Sequence, residues 1–380
     1  MRLLLMGTAP NQLVGYGKVV KALYLGLKQY PDLEVKVFGL QFVGRQDNPD
    51  FLPIGDDIYG SDMLPIYLES HNTDILITIV DHWVPEFQYI PEVVKKFGVK
   101  WISQATVNST PVPLCLYKIL KQSHHIVAPS YWVEKELNEV NLKNTTTIYH
   151  GVNTDIFKKK QLQPYVKFVF LAVGTNKFGQ KNWLGLLKAM HYLVYNLNVN
   201  YAELRIVTEV GRRDGIDFPH AIIQSGLQDH VVLIPMIRNN GFGEEQMADI
   251  YNSADCYVSS SQGESFGLPH LESMSCGVPA IVPDFSTMKE LVERSGAGMT
   301  ADIIYMLPME AHISEQALVD PVDMAIKMKQ FMEMDRSGMS EKARAFAEQY
   351  DWKNIVPHWY NLIKKVSVTS ANYDLGELGV

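Results

Sequence analysis

Short apolar runs alternate with stretches of helical periodicity from one end of this chain to the other, and the runs are continuous, without inward and outward alternation. Strands of that kind are buried on both faces, so the pattern predicts βαβ units and parallel sheets covered by helices. In the first half the runs predict strands over 3–7, 34–39, 75–80, 101–105 and 126–128. In the second half they fall at 168–173, 204–208, 231–235, 256–259 and 280–283. Between the two blocks, residues 153–166 carry a lysine run, two glutamines and a proline, which reads as the connection between domains. A length of 380 residues points the same way, because one hydrophobic core usually stops growing before that size. A helical pattern over 341–366 closes the second half, and Phe346, Tyr350, Trp352, Trp359 and Tyr360 are too many aromatics for one solvent face. Residues 367–380 are small, polar and mildly acidic and read as a loosely ordered tail.

Composition narrows the class of partner. A net charge of -8, with Lys158-Lys159-Lys160 as the one basic run, argues against nucleic acid, whose phosphates demand clustered cations. Cys115, Cys256 and Cys276 are too few and too scattered for a disulfide framework or a zinc site, so no metal is expected and a reducing, cytoplasmic compartment fits. The apolar run at 2–7 meets Pro10, Asn11 and Gln12 too soon for a signal peptide and reads as a first buried strand. No stretch approaches the roughly 20 apolar residues that cross a bilayer, so the expectation is a soluble protein, peripheral to a membrane at most.

The candidate chemistry concentrates in Ser261-Gln262-Gly263-Glu264-Ser265-Phe266-Gly267-Leu268-Pro269-His270-Leu271-Glu272, which runs on to Cys276-Gly277-Val278-Pro279. Gly263 and Gly267 permit a tight loop, Pro269 suits a first helical turn and Gly277 ends a helix, so a helix is predicted over 268–276. Its N-terminal amides favour a phosphate, while Glu264 in the loop and Glu272 one turn inside the helix can accept hydrogen bonds from sugar hydroxyls. Glu272 lies four residues after Leu268 and beside Leu271, on the apolar face, where a carboxylate without a partner is costly.

This segment resembles the Glu, seven residues, Glu motif of the retaining glycosyltransferases of family 4, the glycosyl transferases group 1, which include glycogen and sucrose synthases and phosphatidylinositol mannosyltransferases. The resemblance implies an α/β protein of GT-B fold, with two Rossmann-like, doubly wound domains facing across a cleft. The first would be an acceptor domain over 1–160 to which a helix at about 352–366 returns, and the second a donor domain over 161–351. The implied reaction moves a sugar from a nucleotide diphosphate sugar to the hydroxyl of a glycan, a lipid-linked sugar or a small molecule, without metal or other cofactor. Glu264, with the backbone of Ser265, Phe266, Gly267 and Leu268, would hold the donor sugar and diphosphate, and Glu272 the ribose.

Other matches are partial. Val14-Gly15-Tyr16-Gly17 forms a glycine loop opening into a helix over 18–29, but Val20 stands where a dinucleotide fingerprint has its third glycine. In the resembled family such glycines, here Gly15 and Gly17, let amides approach the donor phosphate or the acceptor. The loop after 173 matches the family's diphosphate loop at Lys181-Asn182, but Thr175 replaces the expected Arg. Either Lys177 supplies the second charge or the site has one cation. Residues 148–157 resemble the family's hinge, and His150 there reads as a structural hydrogen-bonder. Asn108 stands where many relatives carry a histidine, and Asn cannot titrate. Asp81 and His82 end another strand and could serve the acceptor, although His82 reads equally well as a packing residue. Glu264 fits a covalent nucleophile as well as a sugar-orienting group; the family's accepted picture is front-face attack. A sugar-nucleotide epimerase and a binding module without turnover are the alternatives on the same fold.

Overall fold

Continuous burial of the β-rich runs produces two parallel sheets. In the first, Leu3, Leu4, Leu5, Leu76, Ile77, Trp101 and Ile102 have no accessible surface, because helices cover both faces. The computed structural model describes residues 1–42, 48–160, 166–177, 179–236 and 241–369. They divide into two units: Met1–Gly151 with Ala311–Ile313 and the chain from Trp352 onward, and Val152–Glu310 with Ser314–Asp351.

Unit 1 is built on β1 (Arg2–Thr8), β2 (Glu34–Leu40), β3 (Phe51–Leu52), β4 (Ile75–Ile79), β5 (Lys100–Gln104), β6 (His125–Ala128) and β7 (Thr145–Thr147). Their order is β3-β2-β1-β4-β5-β6-β7, all parallel. Unit 2 has β8 (Phe168–Val173), β9 (Ala202–Thr208), β10 (Val231–Pro235), β11 (Cys256–Val258), β12 (Ala280–Pro283) and β13 (Gly298–Ala301). These are parallel in the order β10-β9-β8-β11-β12-β13. A hairpin of β14 (Ile303–Met309) and β15 (Ser314–Val319) completes the strands. Each large sheet starts in its middle, grows to one side and then crosses to the other. Two crevices follow from that reversal, at the carboxyl ends of β1 and β4 and of β8 and β11, where open α/β sheets take their ligands.

The ten strands read from the sequence are present, with ends moved by no more than two residues. β3, β7, β13 and the hairpin are additional. β3, β7 and β13 lie at sheet edges with few buried residues, and β14 of the hairpin has none, so no continuous apolar run announces them. Gly15 and Gly17 correct the reading of the first loop: the helix is Gly15–Leu27, so both glycines lie in its first turn. A Cβ on Gly17 would sit 2.3 Å from the Gln12 carbonyl oxygen, so this glycine lets the loop fold back onto the helix start. The pattern over 341–366 is two helices, Met339–Gln349 and Trp352–Val368. At the break the Asp351 carboxylate accepts from the Thr154 amide at 3.1 Å and from its hydroxyl, and the Val152 amide donates to the Tyr350 carbonyl at 2.9 Å. The expected tail at 367–380 lies outside the described residues from 370 on.

Trp352–Val368 packs within unit 1. Its Val356 fills the space left by Gly26, its Tyr360 stacks on Tyr30 at 3.8 Å between centroids, and Lys100 donates to the helix-end carbonyls of Val366, Ser367 and Thr369. Among the described residues no helix is long and apolar enough to cross a membrane.

In unit 2, Arg344 donates to the carbonyls of Thr154 at 3.1 Å, Phe157 at 2.6 Å and Ser275 at 2.8 Å, joining the start of the unit to the end of the helix Leu268–Ser275. Charge-assisted bonds of this kind are worth more than neutral ones, and their loss takes the cation from three carbonyls, of which that of Phe157 keeps the Ser275 hydroxyl as a donor. Arg344→Ala is expected to destabilise by about 2–4 kcal/mol. Arg344→Lys should recover less than half of that, because an ammonium cannot span the fork. Chemical denaturation checks both, and an unchanged midpoint for Arg344→Ala would contradict the assignment.

Candidate active site

The loops after β8 and β11 converge at the crevice of unit 2. The helix Leu268–Ser275 starts there because Gly267 takes φ +92, a left-handed conformation suited to glycine, and Pro269 supplies a pre-formed first turn. A glycine cap brings no side chain over the helix start, where the His270 and Leu271 amides donate to the Gly267 carbonyl. Gly277 at φ +75 ends the helix, with its amide on the Met274 carbonyl and the Val278 amide on Ser273.

Two of the sequence-selected residues meet directly. The Lys181 ammonium contacts the Glu264 carboxylate, and the Ser261 hydroxyl donates to the same Glu264 oxygen at 2.7 Å. Their side chains are 20% and 19% exposed, so the pair is shielded yet reachable. The Lys181 stem lies across Gly174, where a Cβ would stand 3.2 Å from its Cε. Glycine after β8 thereby lets the lysine lie flat against the loop. The motif backbone is held as well: Gln180 Nε2 donates to the Gly263 carbonyl at 3.2 Å, and the Gln262 amide to the Gln180 carbonyl at 2.9 Å.

Glu272 is 5% exposed and accepts from the Tyr251 hydroxyl at 2.8 Å, which supplies the partner its buried position demands. Burial, and after it the Glu272 charge, pushes the Tyr251 hydroxyl well above the usual phenol range, so it remains a donor. Tyr257 is raised likewise, by burial first and the Glu264 charge second. Phe266 is buried, and Ser265, Gly267 and Leu268 are half-buried at the loop mouth. Thr175 and Lys177 are exposed. Asn176 between them is buried and makes two bonds with the Ile216 backbone, both 2.9 Å, which fix this loop against the one after β9. There Arg212 pairs with Asp214 at 2.7 Å and holds that carboxyl down at about 2, with a lesser contribution from Lys177. Among the described residues no group of three or more His, Cys, Asp or Glu side chains gathers as metal ligands would.

In unit 1 the corresponding crevice brings the helix after β1 to the end of β4, where the Tyr16 hydroxyl donates to Asp81 at 2.7 Å. Gly15 is exposed beside it and Asn108 half-buried. His82 points inward: it is 1% exposed, bonds Thr78 at 2.7 Å and is pushed by burial to a pKa of about 3. It packs in the core and offers an acceptor nothing. His150 is buried, lies 3.2 Å from Gln104 Nε2 and is likewise depressed to about 3, a structural role.

Residues 167–313 match the family described as glycosyl transferases group 1. Nearly all of the matched stretch lies within unit 2, and it is there that the chain is similar to this family. It is 24% identical over 241 residues to the O-antigen chain mannosyltransferase RfbU of Salmonella typhimurium, covering 61% of this chain and 60% of the relative. The chain therefore spans less than two thirds of that relative's length. Sucrose-phosphate synthase from Thermosynechococcus elongatus superposes with a TM-score of 0.75 at 16% identity, over 97% of this chain and 100% of the other. The Anabaena protein Alr3699/HepE, solved with UDP and glucose, gives 0.70 at 15% identity over 96% and 99%. At these identities the superpositions establish the GT-B fold.

At this site, sequence reasoning selected Glu264, Lys181 and Glu272 but missed the groups that brace them. Ser261 stood inside the quoted motif without a role. Tyr251 is 21 residues upstream of Glu272 on another helix, and nothing local signals the pairing.

His270, in the first turn of the motif helix, is 1% exposed, stacks on Tyr257 and has no hydrogen-bond partner for either ring nitrogen among the described residues. Burial lowers its pKa from 6.5 to about 3. The unfolded chain therefore binds a proton below 6.5 that the folded chain refuses until about 3, and stability falls as pH drops through that window. His270→Leu is expected to raise stability by about 1 kcal/mol at pH 7, by removing two unsatisfied polar atoms, and to flatten the acid slope. Thermal melts from pH 7 to 4 check this. A variant with lower stability at pH 7 and an unchanged slope would contradict it.

Proposed function

We propose that this chain transfers a sugar from a nucleotide diphosphate sugar to a hydroxyl acceptor, with retention at the anomeric carbon. The observation that carries the reading is the contact of Lys181 with Glu264 at the mouth of the β8/β11 crevice, beside the uncapped start of the helix bearing Glu272. A cation beside a helix start suits a diphosphate, and carboxylates on either side of them suit sugar and ribose hydroxyls.

On this reading the diphosphate lies between Lys181 and the amides of residues 265–268, where negative charge grows as the glycosidic bond breaks. Donors aimed at developing charge lower the barrier, because they stabilise the transition state more than the bound donor. Glu264, fixed by Ser261, orients the sugar. Glu272, fixed by Tyr251, accepts from the ribose. With Thr175 neutral and Asp214 engaged by Arg212, Lys181 carries the larger share of the cationic role. The acceptor would meet the unit 1 crevice, where Asp81 and Tyr16 offer polar groups and Asn108 a hydrogen-bonding amide. Uridine and guanosine donors are both candidates, since a solved relative was crystallised with UDP and another relative is named a GDP-mannose-dependent mannosyltransferase.

A thermal-shift screen with UDP, GDP and their sugars, followed by donor hydrolysis, tests the reading; a ligand at 100 times its dissociation constant stabilises by about 2.7 kcal/mol. Glu272→Ala should weaken free nucleoside diphosphate binding, and unchanged affinity in the folded variant would remove Glu272 from the site. Glu264→Gln should leave that affinity nearly intact while turnover falls at least roughly tenfold. Wild-type turnover would exclude its role.

Lys181→Ala is expected to lower kcat more than donor affinity, because only the charge that develops is selectively stabilised. Lys177→Ala distinguishes one cation from two. If Lys177 acts with Lys181, both single variants are slow and the double variant is little worse than the slower one. If Lys177 is only solvated, its variant matches the parent. Full activity of Lys181→Ala would refute the diphosphate placement.

A further inference from the structure

We infer that Ser286 and Thr287 are positioning residues that hold Glu264 in its working orientation; the assignment rests on the donor-transfer reading above. The helix Ser286–Ser295 begins with a serine at φ +57, a left-handed backbone unfavourable for any residue with a Cβ. Ser286 is 3% exposed and Thr287 fully buried, so solvent does not explain the conformation. Its contacts do. Ser286 Oγ accepts from the Glu264 amide at 3.2 Å, and Thr287 Oγ1 donates to the Ser265 carbonyl at 2.8 Å.

A serine or threonine at a helix start ordinarily turns its hydroxyl onto its own first-turn amides. Here the cap position is Phe285, with no capping side chain, and the two hydroxyls reach across to a neighbouring loop. That loop is gripped from its other flank by Gln180, through the Gly263 carbonyl and the Gln262 amide. The backbone on both sides of Glu264 is thus fixed, and its carboxylate has one direction left, towards Ser261 and Lys181. Ångström-scale misplacement of a reacting group costs rate far more than it costs binding. Ser286 and Thr287 touch neither the proposed sugar nor the diphosphate and act through Glu264.

The test compares Ser286→Ala, Ser286→Gly, Thr287→Val and Thr287→Ser in the full chain, using hydrolysis of UDP-glucose and GDP-mannose and calorimetry with UDP and GDP. Ser286→Ala and Thr287→Val should lose roughly 10–100-fold in kcat, as expected for a displaced catalytic group, with nucleoside diphosphate affinity within about threefold. Thr287→Ser, which keeps the hydroxyl, should recover most of the rate. In a Glu264→Gln background the same substitutions should cause no further loss, because groups acting through one side chain are not additive. Ser286→Gly relieves the left-handed strain while deleting the hydroxyl, so it folds at least as well as the parent and should still be slow. Parental kcat in Ser286→Gly, or losses that add fully to that of Glu264→Gln, would overturn the positioning role. A parent chain that binds neither diphosphate and hydrolyses neither donor overturns the donor-transfer reading, and this inference with it. An active parent with insensitive Ser286 and Thr287 variants overturns the inference alone.

Discussion

The contact of Lys181 with Glu264 ties together the two loops that leave β8 and β11, and the rest of unit 2 is arranged so that it can form. The two residues are 83 positions apart in the chain. Only the reversal of strand order in the middle of the sheet makes β8 and β11 neighbours and brings their following loops to one place. A like arrangement in unit 1 joins Tyr16 to Asp81, at the reversal between β1 and β4. In both units a parallel sheet dictates a crevice, and polar side chains collect where the apolar strands stop.

The fold was legible because a strand buried on both faces must be apolar at every position, and Phe168–Val173 or Ile75–Ile79 cannot be read as anything else once glycine and polar residues bound them. Thr145–Thr147 and Gly298–Ala301 were not legible, since an edge strand needs only one buried flank and Thr or Gly serves there. The start of the first helix was misread for a related reason. Gly15 and Gly17 have loop-like identity, yet Gly17 is a glycine because the Gln12 carbonyl leaves no room for a Cβ, a helical position crowded by its own loop.

The site was legible as residue types and illegible as contacts. Glu264, Glu272, Gly267 and Pro269 sit in one local segment, and their spacing follows from a loop running into a helix. Lys181 needed a second motif. The bracing hydroxyls of Ser261, Tyr251, Ser286 and Thr287 come from a strand end, another helix and a helix start, and serine, threonine and tyrosine are too common for any one of them to stand out. His82 shows the converse, where sequence left two readings open and burial favours packing. A histidine beside an aspartate at a strand end has the look of chemistry, but its ring turns into the core to meet Thr78 and Trp101, and burial removes its ability to carry a proton near neutral pH.

The two motif glutamates are held in different ways, and the difference bears on what each can do. Glu272 sits inside the helix packing with a tyrosine donor that burial keeps protonated, so its carboxylate is immobile and its remaining hydrogen-bonding capacity faces a fixed direction. That suits recognition of a part of a ligand that does not change during reaction. Glu264 is half-buried on a loop, shares its oxygen between a hydroxyl and an ammonium, and owes its direction to backbone contacts on both flanks. On the proposed reading a bound diphosphate draws on the same ammonium, so donor binding redistributes the charge around Glu264 at the moment its sugar arrives. Binding the nucleotide and orienting the sugar are then coupled through Lys181, and the bonds of the Ser286 and Thr287 hydroxyls to the backbone of Glu264 and Ser265 keep the carboxylate from following the lysine away.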